Sequence, residues 1–326
     1  MVTTPQSPPL VPRLGVSTGL LPRLAQDFTP RLLSRLANSD ITVLTTHLGP
    51  TVEDVVGQPA RRLSAMLDDA GIRVGQATGY NPRLIESSPV AWQVERCRLL
   101  RALDAAVDLN SEMVITGVGS HSPRGHYAPH RDNHSRATVE TLIANLRDVA
   151  PEAEARGMPI AIECHVLTTM GDVATIAEVL EGVGSDHVRA NFDPVNLLGD
   201  RASVYASTWR IRSMWDRLGP FYVPTVHVKD VRIADRLTLC IEECAPGEGL
   251  LDHREVLGVA RRMSDTTAMI VEHLPPRIAW RAVRWLQELL TADGVAWQRN
   301  RSASSRRRRS RSRSSAEKLV STEGPA

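Results

Sequence analysis

No apolar run in the 326-residue chain reaches the roughly 18 residues of a membrane span. The opening MVTTPQSPPLVPRL lacks the charged segment and following apolar stretch of an export signal, so a cytoplasmic protein is expected. Cysteine is scarce. Cys97, Cys164, Cys240 and Cys244 are too few over this length for a disulfide framework. The one close pair, in CIEEC, lacks the second pair that a structural zinc site needs, which leaves reduced, partly buried thiols as the expectation. A G-x-G-x-x-G turn is missing as well: the first apolar run leads into STGLLPRL, which argues against an open dinucleotide-binding sheet. No stretch carries a phosphate-binding signature.

Excess charge is confined to one end. Residues 299–326 hold eight arginines and one lysine against two glutamates, a local +7 that leaves −5 for the rest of a chain of net charge +2. An acidic body argues against a broad nucleic-acid surface. The stretch RSASSRRRRSRSRSS has no apolar residue able to join a core, so it is expected to be disordered. It reads either as an electrostatic tether to a polyanion or as a solvated extension.

Short β-branched or apolar runs recur along the body and alternate with amphipathic segments. They are LGVSTGL (14–20), ITVLTTHL (41–48), GIRVGQATGY (71–80), EMVITGVG (112–119), MPIAIECH (158–165), VRANFDP (188–194), VPTVHVKD (223–230) and TAMIVEHL (267–274). Between them, segments such as SRATVETLIANLRDVAPEAEARG place apolar residues at three- and four-residue steps; Pro151 should break or kink that helix and Gly157 should end it. Eight strands alternating with helices predict an α/β fold, a single (β/α)8 barrel over 14–292. Residues 1–13 form an N-terminal extension and 293–326 a disordered Arg/Ser-rich tail.

Such a barrel carries its active site at the C-terminal ends of the strands. The last four runs end in Glu163-Cys164-His165, Asp193, His227-Val228-Lys229-Asp230 and Glu272-His273. A lone strand histidine is usually a satisfied core residue. Three carboxylates converging at one mouth would repel each other unless a cation neutralised them. With His227, Glu163, Asp193 and Glu272 make three oxygen donors and one nitrogen donor, a set suited to one divalent ion: Mn²⁺, Mg²⁺, Co²⁺ or Zn²⁺.

This order resembles the xylose isomerase-like TIM barrels, and within them the sugar phosphate isomerase/epimerase group, which shares its fold with apurinic/apyrimidinic endonucleases. The matching pieces are IAIECH (160–165), NFDPVN (191–196), VHVKD (226–230), PGEGLLD (246–252) and IVEHL (270–274). The resemblance implies metal ligation by Glu163, Asp193, His227 and Glu272, with Glu163 and Glu272 as the catalytic acid/base pair. It implies a divalent-metal-dependent isomerase or epimerase of a small carbohydrate or related α-hydroxy carbonyl compound, working by proton transfer through a metal-stabilised enediolate. The chain departs from many epimerases in one respect. Asn196 stands where they have a histidine three residues after the strand-six aspartate, and an amide can bind a hydroxyl but cannot move a proton.

Other residues are candidates for the substrate side. Lys229 shares a strand side with His227 and could bind an anionic substrate, or pair with Asp230 or a loop carboxylate. Asp230, His165 and His47 stand at strand ends, and His121 opens the stretch SHSPRGHYAPHRDNH (120–134). That stretch reads as a polar lid or, with His126, His130 and His134, as a second metal site. PGEG (246–249) reads as a tight turn whose amides either cradle an oxyanion or only punctuate the chain. Competing functions are a keto-polyol (inosose-type) dehydratase, a multi-metal DNA-repair endonuclease drawing on His47, His121 and His165, and a non-catalytic barrel with a recruiting tail.

Overall fold

Strands β1 (Arg13–Val16), β2 (Ile41–His47), β3 (Arg73–Thr78), β4 (Val114–Thr116), β5 (Ile160–Ile162), β6 (Val188–Phe192) and β7 (Tyr222–Val228) run parallel around a barrel. β8 (Asp230–Ile233) and β9 (Ile241–Cys244) form a separate antiparallel hairpin, and β10 (Ala268–Val271) pairs with both β7 and β1 to close the ring. The protein is represented by a computed structural model that describes residues 9–17, 19–47, 56–79 and 81–302. All eight expected runs supply the barrel strands, in the expected order. The hairpin has no counterpart among those runs.

Around the ring pack helices α1 (Pro30–Asn38), α2 (Gln58–Asp69), α3 (Pro89–Asp108), α4 (Arg136–Ala155) and α5 (Val173–Val183). They are followed by α6 (Arg201–Tyr205), α7 (Ser207–Leu218), α8 (His253–Met263) and α9 (Pro276–Ala292). α5 shows why these segments are helical. Asp172 caps it by accepting from Ala174 N and Thr175 N, and Ile176, Ala177, Val179 and Leu180 fill its buried face. Gly184 then ends it in the left-handed region at φ 66°. Loss of such an N-cap costs about 1 kcal/mol.

Strand alternation separates two cores. On β7, Val226 and Val228 face the helix layer and join the main apolar core, whereas Thr225 and His227 meet Gln76 of the non-adjacent β3 and therefore face the lumen. Val43, Ala268 and Ile270 fill part of that lumen. Gly15 makes room for them: a Cβ there would lie 2.7 Å from Val43 Cγ1 and 2.8 Å from Ile270 Cγ1. Thr45, Gln76, Asn191 and Thr225 form a hydrogen-bonded polar layer within the lumen.

Three expectations need correction. Of the expected break or kink, the break does not occur: α4 runs through Pro151, which lies on the exposed face while Val139, Leu142, Leu146, Val149 and Ala153 hold the buried one. The unfulfilled carbonyl one turn back then faces water. Residues 293–302, expected to belong to the disordered tail, are packed. Val295 is buried, Trp297 packs on the core, and Asn300 Nδ2 donates to the carbonyls of Ile41, Ala70 and Gly71. Leu10 is likewise buried, so part of the expected N-terminal extension joins the core. The Arg/Ser run itself, within 303–326, lies outside the described residues. No helix among the described residues is long and apolar enough to cross a membrane.

Candidate metal centre

β5, β6, β7 and β10 are consecutive around the ring, and each delivers one donor to the C-terminal mouth. One ligand atom from each of Glu163, Asp193, His227 and Glu272 lies within 4.8 Å of all the others. His227 Nδ1 stands 2.9 Å from Glu272 Oε1, 3.5 Å from Asp193 Oδ2 and 3.7 Å from Glu163 Oε1. His227 is 2% exposed, and Asp193 and Glu272 are 4% exposed. The structure thus brings together the four residues expected to share an ion.

A divalent ion suits this arrangement. His227 Nδ1, Asp193 Oδ2 and Glu272 Oε1 are buried atoms without a hydrogen-bond partner, although oppositely charged groups stand within 3 Å of them. Close approach without hydrogen-bond alignment leaves these atoms unsatisfied, and a shared cation would satisfy them. Three carboxylates with one imidazole favour a hard or borderline cation.

Gln76 sets the histidine. Its Nε2 donates to Asn191 Oδ1 and Thr225 Oγ1, which leaves Oε1 to accept from His227 Nε2 at 2.9 Å. His227 therefore carries its proton on Nε2 when Nδ1 serves as a ligand. Sequence reasoning missed Gln76, which lies 151 residues away and follows no local pattern. It also missed Tyr127, whose hydroxyl donates to Glu163 Oε2 at 2.9 Å.

The remaining candidates divide. Asn196 lies inside the cluster, with Nδ2 3.4 Å from Glu163 Oε1 and Oδ1 3.2 Å from Lys229 Nζ. Lys229 is fully buried, and its ammonium stands 2.7 Å from Glu272 Oε1 and 2.8 Å from Asp193 Oδ2. It pairs with the clustered carboxylates, neither with Asp230 nor with a loop carboxylate. The His165 ring lies 5.7 Å from Tyr127 beside the cluster, and its Nδ1 accepts from Leu167 N. His47 ends β2, half-buried. His121 is turned toward the first turn of α4: Nε2 meets Thr138 Oγ1 at 2.9 Å. A role for His121 in contacting substrate is not supported by that placement.

Asp230 also departs from its expected role. Its carboxylate accepts from the backbone amides of Val231, Gly247, Gly249 and Leu251 and meets His253 Nε2 at 3.1 Å. The PGEG amides of Gly247 and Gly249 are thus taken up by the chain's own aspartate, the structural of the two expected roles. Gly249 permits the approach, since a Cβ there would lie 2.2 Å from Asp230 Oδ1.

The loop over the mouth is pinned. Asn133 Nδ2 donates to Leu167 O at 2.7 Å, and Ser120 Oγ donates to Ala128 O at 2.6 Å. Its histidines form no metal-ligating group; among the described residues the one such group is the strand-end cluster.

Charges in the cluster hold one another. Burial pushes the Glu163 and Glu272 carboxyls up, but His227 and Lys229 outweigh it and bring both to about 2. Asp193 is lowered by the same neighbours against burial. Burial pushes Lys229 and His227 down, and the carboxylates more than reverse this, raising both. The Tyr127 hydroxyl is raised by burial and then by Glu163, so it stays a neutral donor.

Solved structures share the fold at low identity. A xylose isomerase-like TIM barrel protein from Mycobacterium smegmatis, in complex with magnesium, has a TM-score of 0.64 at 12% identity, covering 86% of this chain and 97% of its own. A probable 3-DHS dehydratase of Bacillus anthracis, AsbF, involved in petrobactin synthesis, has 0.63 at 14%, covering 84% and 98%. D-psicose 3-epimerase of Clostridium cellulolyticum H10, with D-tagatose, has 0.60 at 12%, covering 84% and 90%. No curated protein matches the chain. The sequence model of one family, described as the xylose isomerase-like TIM barrel, matches residues 40–291. Spanning most of the barrel and all four donors, that match shows that the chain belongs to the xylose isomerase-like TIM barrel family.

Proposed function

We propose that the chain is a divalent-metal-dependent isomerase or epimerase acting on a small sugar or related α-hydroxy carbonyl compound. The observation that carries this reading is the convergence of two glutamates, an aspartate and a histidine, with unpartnered buried atoms, from four consecutive strands. An ion held there would supply the electrophile that draws charge from a carbonyl and its neighbouring hydroxyl, making the α-hydrogen acidic.

Glu163 and Glu272 come from the two ends of the four-strand arc, so they border the mouth on different sides. Both are ionised, as a general base must be. Glu163 turns Oε1 toward His227 and offers Oε2 outside the cluster, where Tyr127 holds it. On this reading, that oxygen takes the proton. Return of a proton to the opposite face inverts the carbon, and return to the adjacent carbon interconverts aldose and ketose. Asn196, which cannot carry a proton, is left to hydrogen-bond a substrate hydroxyl beside Glu163.

Relatives of this fold named as a 3-epimerase and a probable dehydratase support α-proton chemistry at such a mouth. The dehydratase likeness keeps loss of a β-hydroxyl as water as the second reading. Incubation with a panel of ketoses and inososes in D₂O with Mn²⁺ separates the outcomes. Deuterium at the α-carbon of recovered substrate or product is expected; no exchange and no product with any member would count against the reading.

A further inference from the structure

The proposed proton transfer leaves Lys229 unused. Its stem runs up the lumen side of β7 two residues beyond His227, and its side chain is fully buried. Nζ stands 2.7 Å from Glu272 Oε1, 2.8 Å from Asp193 Oδ2 and 4.0 Å from Glu163 Oε1. Those are the same three oxygens that face His227 Nδ1. Asn196 Oδ1 covers the ammonium at 3.2 Å, so it does not face the open mouth as a substrate-steering cation would.

We infer that Lys229 is a built-in counterion that competes with the divalent ion for Asp193 Oδ2 and Glu272 Oε1. This rests on the reading of the four donors as a metal site. Three buried carboxylates carry a charge of −3; without a compensating cation they destabilise the folded chain by mutual repulsion and lost hydration. With His227 neutral, as a ligating imidazole must be, Lys229 brings the cluster to −2, which a divalent ion then neutralises. The same charge repels that ion, and at such distances a unit charge in a partly polar interior amounts to several powers of ten in affinity before rearrangement relaxes it. The ammonium thus keeps the ligands gathered and the barrel folded while it weakens metal binding. A lysine that merely ordered the ligands would have the opposite effect, and its removal would loosen the ion.

Methionine keeps the length of the stem and removes the charge, so Lys229→Met is the direct probe, with Lys229→Gln beside it. The full chain and both variants are stripped with a chelator, melted, and titrated with Mn²⁺ by calorimetry. The expected result is a lower apo melting temperature in the variants, an Mn²⁺ dissociation constant at least about tenfold smaller, and a larger Mn²⁺-induced rise in melting temperature than in the unaltered chain. Variants that fold only when Mn²⁺ is present support the inference equally. Variants that bind Mn²⁺ no tighter than the unaltered chain, or that stay unfolded at saturating Mn²⁺, would overturn the inference. Failure of the unaltered chain to bind Mn²⁺ would overturn the metal reading and this inference together, a result distinct from either.

Discussion

His227 Nε2 and Gln76 Oε1 meet at 2.9 Å across the lumen of the barrel, from strands that are not neighbours. The contact aims Nδ1 at the three carboxylates and fixes which nitrogen is free to bind an ion. Gln76→Leu should therefore weaken Mn²⁺ binding by about 10- to 100-fold, the usual effect of losing the partner of a ligating histidine. Calorimetric titration reads this directly. Unchanged affinity would mean that the cluster orients His227 without Gln76.

Tyr127 should affect turnover and spare the metal. Tyr127→Phe removes the donor to Glu163 Oε2 and leaves the four ligands in place. A hydrogen bond to a charged group is worth about 1.5–3 kcal/mol, so α-proton exchange should slow by about tenfold or more, with Mn²⁺ affinity within about twofold. An equal loss in both would assign Tyr127 to ligand positioning instead.

Much of this architecture was legible in the sequence. Eight apolar runs were distinct because each strand needs a short β-branched stretch and the helices between them keep a different period. The donors were visible because buried strands seldom end in Glu163, Asp193, His227 and Glu272 without a reason. Gln76 and Tyr127 were hidden, since their partners lie 151 and 36 residues away and nothing local distinguishes a glutamine or tyrosine that reaches the strand-end cluster. Lys229 and Asp230 were adjacent and looked equivalent. Strand alternation sends Lys229 into the lumen and Asp230 outward, to the amides of the turn at 247–251. The packed segment at 293–302 was hidden too, because scattered residues such as Val295, Trp297 and Asn300 make no periodic signal.

Asp230 is a structural residue. Asp230→Asn puts amide hydrogens against backbone donors at a buried site and should destabilise the fold by about 2–4 kcal/mol. That corresponds to a melting temperature lower by roughly 3–6 °C in a protein of this size. Gly249→Ala should act in the same direction through its clash with the carboxylate. Differential scanning calorimetry tests both, and near-normal melting of Asp230→Asn would return the residue to the substrate side.

The same aspartate sets a pH window. Burial pushes its carboxyl up, but His253 and the turn amides outweigh this and hold it below the usual value. A depressed folded-state value means that Asp230 stabilises the fold above its unfolded value near about pH 4, and the contribution is lost as pH falls through the folded value. The melting-temperature gap between the unaltered chain and Asp230→Asn should therefore narrow steadily below about pH 4. A gap constant down to about pH 2 would contradict the assignment.

Every functional statement above depends on Glu163, Asp193, His227 and Glu272 binding one divalent ion together. Anomalous diffraction from a crystal soaked in Mn²⁺ reads that out without recourse to a substrate. A single strong manganese peak is expected at the C-terminal mouth, within bonding distance of one atom from each of the four side chains. A map with no peak there, or with manganese bound elsewhere while these four carry none, would contradict the assignment.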